Sequence, residues 1–369
     1  MKVLFDPQVF SFQEFGGISR YYCELLKQFG SLEGVEASLI IKYSNNRYLP
    51  DLGSIRTRPF FPSYRFKGRN EIIKTLNKWY VWRNFPSENT PDLVHPTYYS
   101  PYFLKVIGSI PFVLTIYDMS HELYPELFST VDYTSSNKAI VASKAARIIT
   151  ISEHTKKDIT AILKIPASSI DVIPLATTLS IKSVQVAIRA PDNFVLYVGK
   201  RNTYKNFPFL LDAFKACPVT QDGYALVCAG GGPWTTEETA KIDALGLSRR
   251  VIQMDVNDAL LVFLYLKAGA FIFPSLYEGF GIPVLEAFAC GCPALLSNRS
   301  SLPEVGGNAA LYFEPDHVES LVAVLADVLR KKDLAEDLRA RGFARALEFS
   351  WAHTALKTLE TYNTILNNR

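Results

Sequence analysis

The sequence is poor in cysteine: five in 369 residues, at positions 23, 217, 228, 290 and 292. An odd, scattered set does not make a disulfide framework, and Cys290-Gly-Cys292 has no second pair to complete a spaced zinc site. A reduced, cytoplasmic setting is therefore expected. Long apolar runs are missing too. The longest, Ala259 to Pro274, is broken by Lys267 and falls short of a bilayer-spanning helix. The start, Met1-Lys-Val-Leu-Phe-Asp6, turns polar too soon for a signal peptide and reads as a first strand. No G-x-G-x-x-G occurs: Gly279-Phe-Gly281 lacks a third glycine, and Gly230-Gly-Gly232 does not match. Nor is there a Walker P-loop, a G-x-S-x-G elbow or an H-E-x-x-H. Dinucleotide redox enzymes, P-loop kinases, elbow-type serine hydrolases and zincins all lose ground.

What is present is globular: 48% apolar and 20% charged residues, with 20 Gly and 21 Pro. Disorder and collagen-like repeats are excluded, and the length calls for two or three domains. A net charge of +3 hides an asymmetry. Residues 1–190 carry 22 Lys and Arg against 16 Asp and Glu, whereas residues 191–369 carry 17 against 20. Between Arg56 and Arg83 eight basic residues accompany a single acid, Glu71, with Phe61, Tyr64, Trp79 and Trp82 among the interleaved aromatics. A nucleic-acid groove fits poorly, because no basic stripe extends it. A helix and loop docking on an anionic membrane surface fits better, as does a solvated helix whose aromatics pack inward.

Short β-rich runs alternate with longer amphipathic stretches. Strands are expected at Val3–Phe5, Ala37–Ile41, Leu93–His95, Phe112–Tyr117, Ile148–Ser152 and Val172–Pro174. They resume at Phe194–Gly199, Ala225–Ala229, Val251–Met254, Ala270–Pro274, Pro293–Ser297 and Ala309–Phe313. Helical periodicity is clearest at Ser19–Phe29, Ser136–Ala146, Phe207–Lys215, Pro283–Ala289, Val318–Lys331, Leu334–Glu348 and the tail Ser350–Leu366. This is the pattern of βαβ units and parallel sheets. The unpatterned stretch Ala176–Asn193 separates two open α/β domains, with the site expected beyond the carboxyl ends of their strands in the cleft between them.

Four segments that follow strands offer polar groups or bare backbone to such a site. Phe15-Gly-Gly-Ile-Ser-Arg20 leads into a helix, so Gly16 and Gly17 would allow a ligand close to the backbone at a helix N-terminus. Val198-Gly-Lys-Arg-Asn-Thr-Tyr-Lys-Asn206 places Lys200, Arg201 and Lys205 where they could clamp a diphosphate. Pro274-Ser-Leu-Tyr-Glu-Gly-Phe-Gly-Ile-Pro-Val-Leu-Glu286 puts Glu278 on a loop and Glu286 one turn inside a helix, with free N–H groups around Phe280–Pro283 between them. Acids for sugar hydroxyls beside amides for phosphate suit a nucleotide-sugar. Leu114-Thr-Ile-Tyr-Asp-Met-Ser-His121 could present Tyr117, Asp118 or His121, and His95 is a similar case.

In this order, Gly16-Gly17, Arg201 with Lys205, the E-x7-E pair Glu278 and Glu286, Ser301-Leu-Pro-Glu-Val-Gly306 and the tail around Ser350-Trp351 resemble the retaining glycosyltransferases of the GT-B fold, family 4 (glycosyl transferases group 1). The resemblance covers nearly the whole chain. It implies α/β architecture with two facing Rossmann-like domains: residues 1–178 on the acceptor side, 190–347 binding the nucleotide-sugar, and 348–369 a helix returning to the first domain. It also implies a cytoplasmic hexosyltransferase, at most peripheral on the inner face of the plasma membrane, with no metal and no required cofactor. Its donor would be a nucleoside-diphosphate sugar, UDP-hexose somewhat ahead of GDP-mannose, and its acceptor a glycan or lipid-linked glycan of a surface polysaccharide. Glu286 would hold the ribose and Glu278 the donor sugar, which the backbone of Phe280, Gly281 and Ile282 would also touch. Arg201 and Lys205, with Lys200 beside them, would neutralise the diphosphate, Gly17 would admit it, and Val256 would lie near the base.

Family members often carry His-Asp where this chain has Tyr117-Asp118, the histidine touching the sugar; a tyrosine at that place keeps a hydroxyl that can hydrogen-bond. Attack from the face the diphosphate leaves is implied, the leaving phosphate helping to deprotonate the acceptor. A nucleotide-sugar epimerase, a glycan phosphorylase or a non-catalytic nucleotide-sugar-binding member would share the fold.

Overall fold

A computed structural model describes the chain except for residues 54, 65, 87, 182–189, 202, 222 and 368–369. Arg65 of the basic stretch, Asn202 of the cationic segment and the middle of the 176–193 boundary lie outside the described residues. The chain divides into two compact units: Met1–Leu175 together with Trp351–Arg369, and Ala176–Ser350.

In chain order the first unit contains β1 (Lys2–Phe5), α1 (Gly17–Phe29), β2 (Glu36–Leu39), α2 (Arg69–Asn84), β3 (Leu93–His95) and β4 (Val113–Ile116). Then come α3 (Ser120–Leu123), α4 (Thr134–Ala142), β5 (Arg147–Thr150), α5 (Glu153–Leu163) and β6 (Ile170–Val172). The strands form two parallel three-stranded sheets, β2-β1-β3 and β4-β5-β6. A parallel bridge from Val94 to Phe112 runs between them. The order therefore turns back between β1 and β3. Helix α1 buries Tyr21, Tyr22, Leu25, Leu26 and Phe29, the spacing of an amphipathic stripe.

The second unit contains β7 (Phe194–Val198), α6 (Phe207–Ala216), α7 (Pro218–Gln221), β8 (Ala225–Ala229), α8 (Thr236–Ala244), β9 (Val251–Met254), α9 (Asp258–Lys267) and β10 (Phe271–Phe273). It continues with α10 (Ile282–Ala289), β11 (Ala294–Ser297), α11 (Leu302–Gly306), β12 (Ala310–Phe313), α12 (Val318–Arg330) and α13 (Lys332–Ala346). Its six strands form one parallel sheet in the order β12-β11-β10-β7-β8-β9. Every residue of β7 and β8 is buried, which is why Phe-Val-Leu-Tyr-Val and Ala-Leu-Val-Cys-Ala read as continuous apolar runs. The strand order reverses between β7 and β10, and an open α/β sheet parts its connecting loops at such a point.

The last helix, α14 (Trp351–Asn367), packs within the first unit. It buries Trp351, Thr354, Ala355, Thr358, Tyr362 and Ile365, again a helical stripe. Tyr362 meets Nδ1 of His95 at 2.6 Å, and Thr354 donates to the Pro174 carbonyl at 2.8 Å. All five cysteines are buried and free.

Candidate active site

The reversal between β7 and β10 brings together the loops that follow those two strands. From the β7 side comes Lys205; from the β10 side, Glu278. Their side chains meet, Nζ to Oε1, at 2.5 Å, and both are largely enclosed. The Leu276 N–H donates to the Tyr204 carbonyl at 2.8 Å, so the loops are tied through backbone as well. The Lys205 ammonium also lies 5.2 Å from the Tyr204 ring centroid and 5.6 Å from that of Phe273.

Two serines fix the Glu278 loop. Ser300 accepts from the Glu278 N–H at 3.1 Å and donates to its carbonyl at 2.6 Å. Ser301 lies 2.9 Å from the carbonyls of both Glu278 and Phe280. The loop ends at Gly281, with φ +106°, and no side chain caps α10, which begins at Ile282. A Cβ at 281 would stand 3.0 Å from Leu302 Cδ2, so glycine is required by conformation and space together. The first N–H groups of a helix have no intrahelical acceptor and favour an anion. Glu286 sits one turn in, buried, and its Oε2 accepts from the Tyr265 hydroxyl at 3.1 Å. Desolvation, reinforced by that carboxylate, holds the Tyr265 phenol protonated far above its ordinary range. Val256 is half-buried in the loop between β9 and α9, two strands from the reversal.

Arg201, expected with Lys205 to neutralise a diphosphate, has a side chain that is 3% exposed and paired with Glu238 at 2.8 Å. Its remaining donors reach the carbonyls of Gly230, Gly232 and Pro233 at 2.9–3.0 Å. Lys200, its neighbour, is exposed.

In the first unit the order reverses between β1 and β3, and Asp6, at the end of β1, links the two following loops. Its carboxylate accepts from the Thr97 N–H at 2.8 Å, from Gln8 Nε2 at 2.6 Å and from the Tyr102 hydroxyl at 3.1 Å. Burial raises its pKa despite those donors. A cavity of about 770 Å³ opens beside this junction, lined among others by Gln8, Tyr98, Tyr99, Tyr102 and, from α2, Lys74 and Lys78. Gly17 is the first residue of α1. Gly16 before it has φ +155°, and the Gln13 side chain accepts from the Ser19 N–H at 3.1 Å, closing the helix start.

Tyr117 is buried in edge contact with the rings of Tyr21 and Tyr22. Asp118 is half-buried, its Oδ1 accepting from the Ser120 N–H and hydroxyl at 2.9 and 2.6 Å. The fully buried Lys138 donates to the Asp118 carbonyl at 2.9 Å and pairs with Glu122 at 2.8 Å. His121 stacks on Phe128 at 3.8 Å and faces Asp132 at 3.5 Å. His95 is wholly buried between Tyr362 and Thr115, the latter at 2.8 Å, and desolvation pushes its pKa down to about 3. Both histidines are held by the packing of the first unit.

Comparison with known proteins agrees with this layout. The family model "Glycosyltransferase Family 4" matches residues 15–180, and "Glycosyl transferases group 1" matches residues 181–345. The chain belongs to glycosyltransferase family 4. This family 4 chain is 28% identical to the O-antigen chain mannosyltransferase B of Escherichia coli, over 98% of its own length and 99% of that protein. It is 34% identical over 51% of its length to the serotype-specific mannosyltransferase WbdA of the same organism, of which it spans about a quarter (24%). Among solved structures, a sucrose-phosphate synthase from Thermosynechococcus elongatus superposes with a TM-score of 0.77 across 100% of both chains at 17% identity, so the shared feature is the GT-B fold. The glycosyltransferase expectation and its α/β class are thereby met.

Proposed function

We propose that this glycosyltransferase moves mannose from GDP-mannose to a glycan acceptor of an O-antigen-like surface polysaccharide, with retention of configuration and without a bound metal. The choice of mannose follows the mannosyltransferases it resembles. The observation that carries the site is the Lys205–Glu278 pair across the β7/β10 reversal, next to the uncapped start of α10. As the diphosphate departs, its growing charge would meet a lysine and backbone N–H groups already in place, a preorganised electrostatic contribution. Glu278, oriented by Ser300 and Ser301, would accept from sugar hydroxyls, and Glu286 from the ribose. The acceptor would enter on the first unit, where the tyrosine-lined cavity offers faces for sugar rings beside the Asp6 junction. The incoming hydroxyl would attack from the side the diphosphate leaves, which takes up its proton.

The experiment is a donor panel of GDP-mannose, UDP-glucose and UDP-galactose, with O-antigen glycan as acceptor, followed by nucleoside diphosphate release and the anomeric configuration of the product. Release from GDP-mannose, an α-linked product and full activity in EDTA are expected. Turnover of a UDP-sugar alone would refute the donor, a β-linkage the stereochemistry, and abolition by EDTA the metal-free claim.

A membrane contact is proposed alongside. Trp79 and Trp82 of α2 are 53% and 69% exposed, so the inward-packed reading of this stretch fails. Arg56, Arg58, Lys67 and Arg83 are exposed on the same segment, a composition that complements an anionic bilayer surface.

A further inference from the structure

We infer that Arg201 is a positioning residue that holds the turn Gly230–Pro233 in shape through Glu238, and that it is not a cation offered to the donor diphosphate. The inference takes the donor-binding reading as its setting, but its geometry stands on the second unit alone. A guanidinium has five N–H donors in a fixed fork. Here Nε donates to Glu238 Oε1 at 2.8 Å and Nη1 to the Gly230 carbonyl at 3.0 Å. Nη2 reaches the carbonyls of Gly232 and Pro233 and the second oxygen of Glu238, at 2.9, 3.0 and 3.2 Å. The guanidinium carbon lies 4.4 Å from the Trp234 ring centroid, so one face is covered by the indole.

The turn is built around this group. Gly230, Gly231 and Gly232 have φ of +81°, +77° and +76°, and that left-handed run turns the flanking carbonyls of 230 and 232 towards one cation. A Cβ on Gly231 would stand 2.3 Å from Arg201 Nη1 and 2.9 Å from the Gly199 carbonyl. Glu238 is committed as well. Its Oε2 accepts from the Thr235 N–H at 2.8 Å while its own N–H donates to Thr235 Oγ1 at 3.2 Å, the capping box that starts α8. Withdrawing Arg201 would take the shared donor from the carbonyls of Gly230, Gly232 and Pro233 at once and leave Glu238 with only the Thr235 N–H, and part-buried groups are costly to strand. Lys200, exposed on the same junction, and Lys205 remain as the cations that can face a diphosphate.

The full chain is tested as Arg201→Lys, Glu238→Ala, Glu238→Gln and Lys200→Gln, by calorimetric titration with GDP and GMP (UDP and UMP in parallel) and by hydrogen exchange at residues 230–234. Arg201→Lys and Glu238→Ala should weaken GDP and GMP alike, by about tenfold, and speed exchange in the turn. Glu238→Gln, which keeps an acceptor for Nε, should restore most of the loss. Lys200→Gln should lower the GDP-to-GMP preference and leave exchange unchanged. Tighter GDP binding by either Glu238 variant would overturn the inference, because releasing Arg201 would then have created a clamp. So would a fall in the GDP-to-GMP preference of Arg201→Lys matching that of Lys200→Gln. If the parent chain binds no nucleotide, the donor reading falls by itself; the exchange measurement still decides, and unaltered exchange in Arg201→Lys and Glu238→Ala would refute the brace.

Discussion

Lys205 and Glu278 stand 73 positions apart, and only the sheet order makes them neighbours. Their types and places after strands were legible in the sequence; their pairing was not, because it depends on which strands lie side by side. The same holds for Arg201, whose partner Glu238 carries no mark in the sequence beyond a capping-box position. Lys205→Ala and Glu278→Gln should each lower kcat by roughly 10²–10³, the range for removing one preorganised group, with circular dichroism unchanged; turnover near the parent value would remove the residue from the site. His95 gives a separate test. Its imidazole stays neutral in the folded chain down to about pH 3, whereas the unfolded chain takes up the proton near 6.5. The resulting stability is fully present above pH 6.5 and is lost as pH falls towards 3, at up to about 1.4 kcal/mol per pH unit. Urea unfolding should therefore show the stability advantage of the parent over His95→Gln shrinking between pH 7 and pH 4. A gap that stays constant would contradict the assignment.

At the scale of elements, the strands among the described residues fall on or beside the expected runs, β6 (Ile170–Val172) sharing only Val172 with its expected run, because most are short apolar stretches bounded by turn residues. Helices α5, α8 and α9, and the short α3, α7 and α11, were not legible. Helix α9 is apolar nearly all round and shows no stripe, α8 buries only Ile242, and α5 buries only Thr155 and Ile159. On α2 the inward positions include Arg69 and Asn77 while two tryptophans face outward, which inverts the usual pattern. Local geometry around the site is equally demanding. Gly281→Ala forces a side chain into a left-handed conformation against Leu302. It should cost about 1–3 kcal/mol in thermal or urea unfolding and raise the KM for the donor; unchanged stability would mean the loop relaxes freely.

Over the whole molecule, the two family models account for residues 15–180 and 181–345 in succession, and each unit reverses its strand order once. The helix that ends the chain belongs to the first unit, with Tyr362 on His95 and Thr361 donating to Asp171 at 2.9 Å. Vesicles containing phosphatidylglycerol should recruit the protein at low salt and release it as salt is raised, since screening shortens the reach of exposed charge; Trp79→Ala with Trp82→Ala should weaken recruitment without altering turnover on a soluble acceptor. Equal binding to neutral vesicles would contradict an electrostatic contact. The most direct measurement is a crystal structure of the full chain with GDP-mannose. The diphosphate should lie within hydrogen-bond reach of Lys205 Nζ and the start of α10, with the mannose beside Glu278. A nucleotide bound away from the β7/β10 reversal, leaving the Lys205–Glu278 pair untouched, would contradict the assignment of the site.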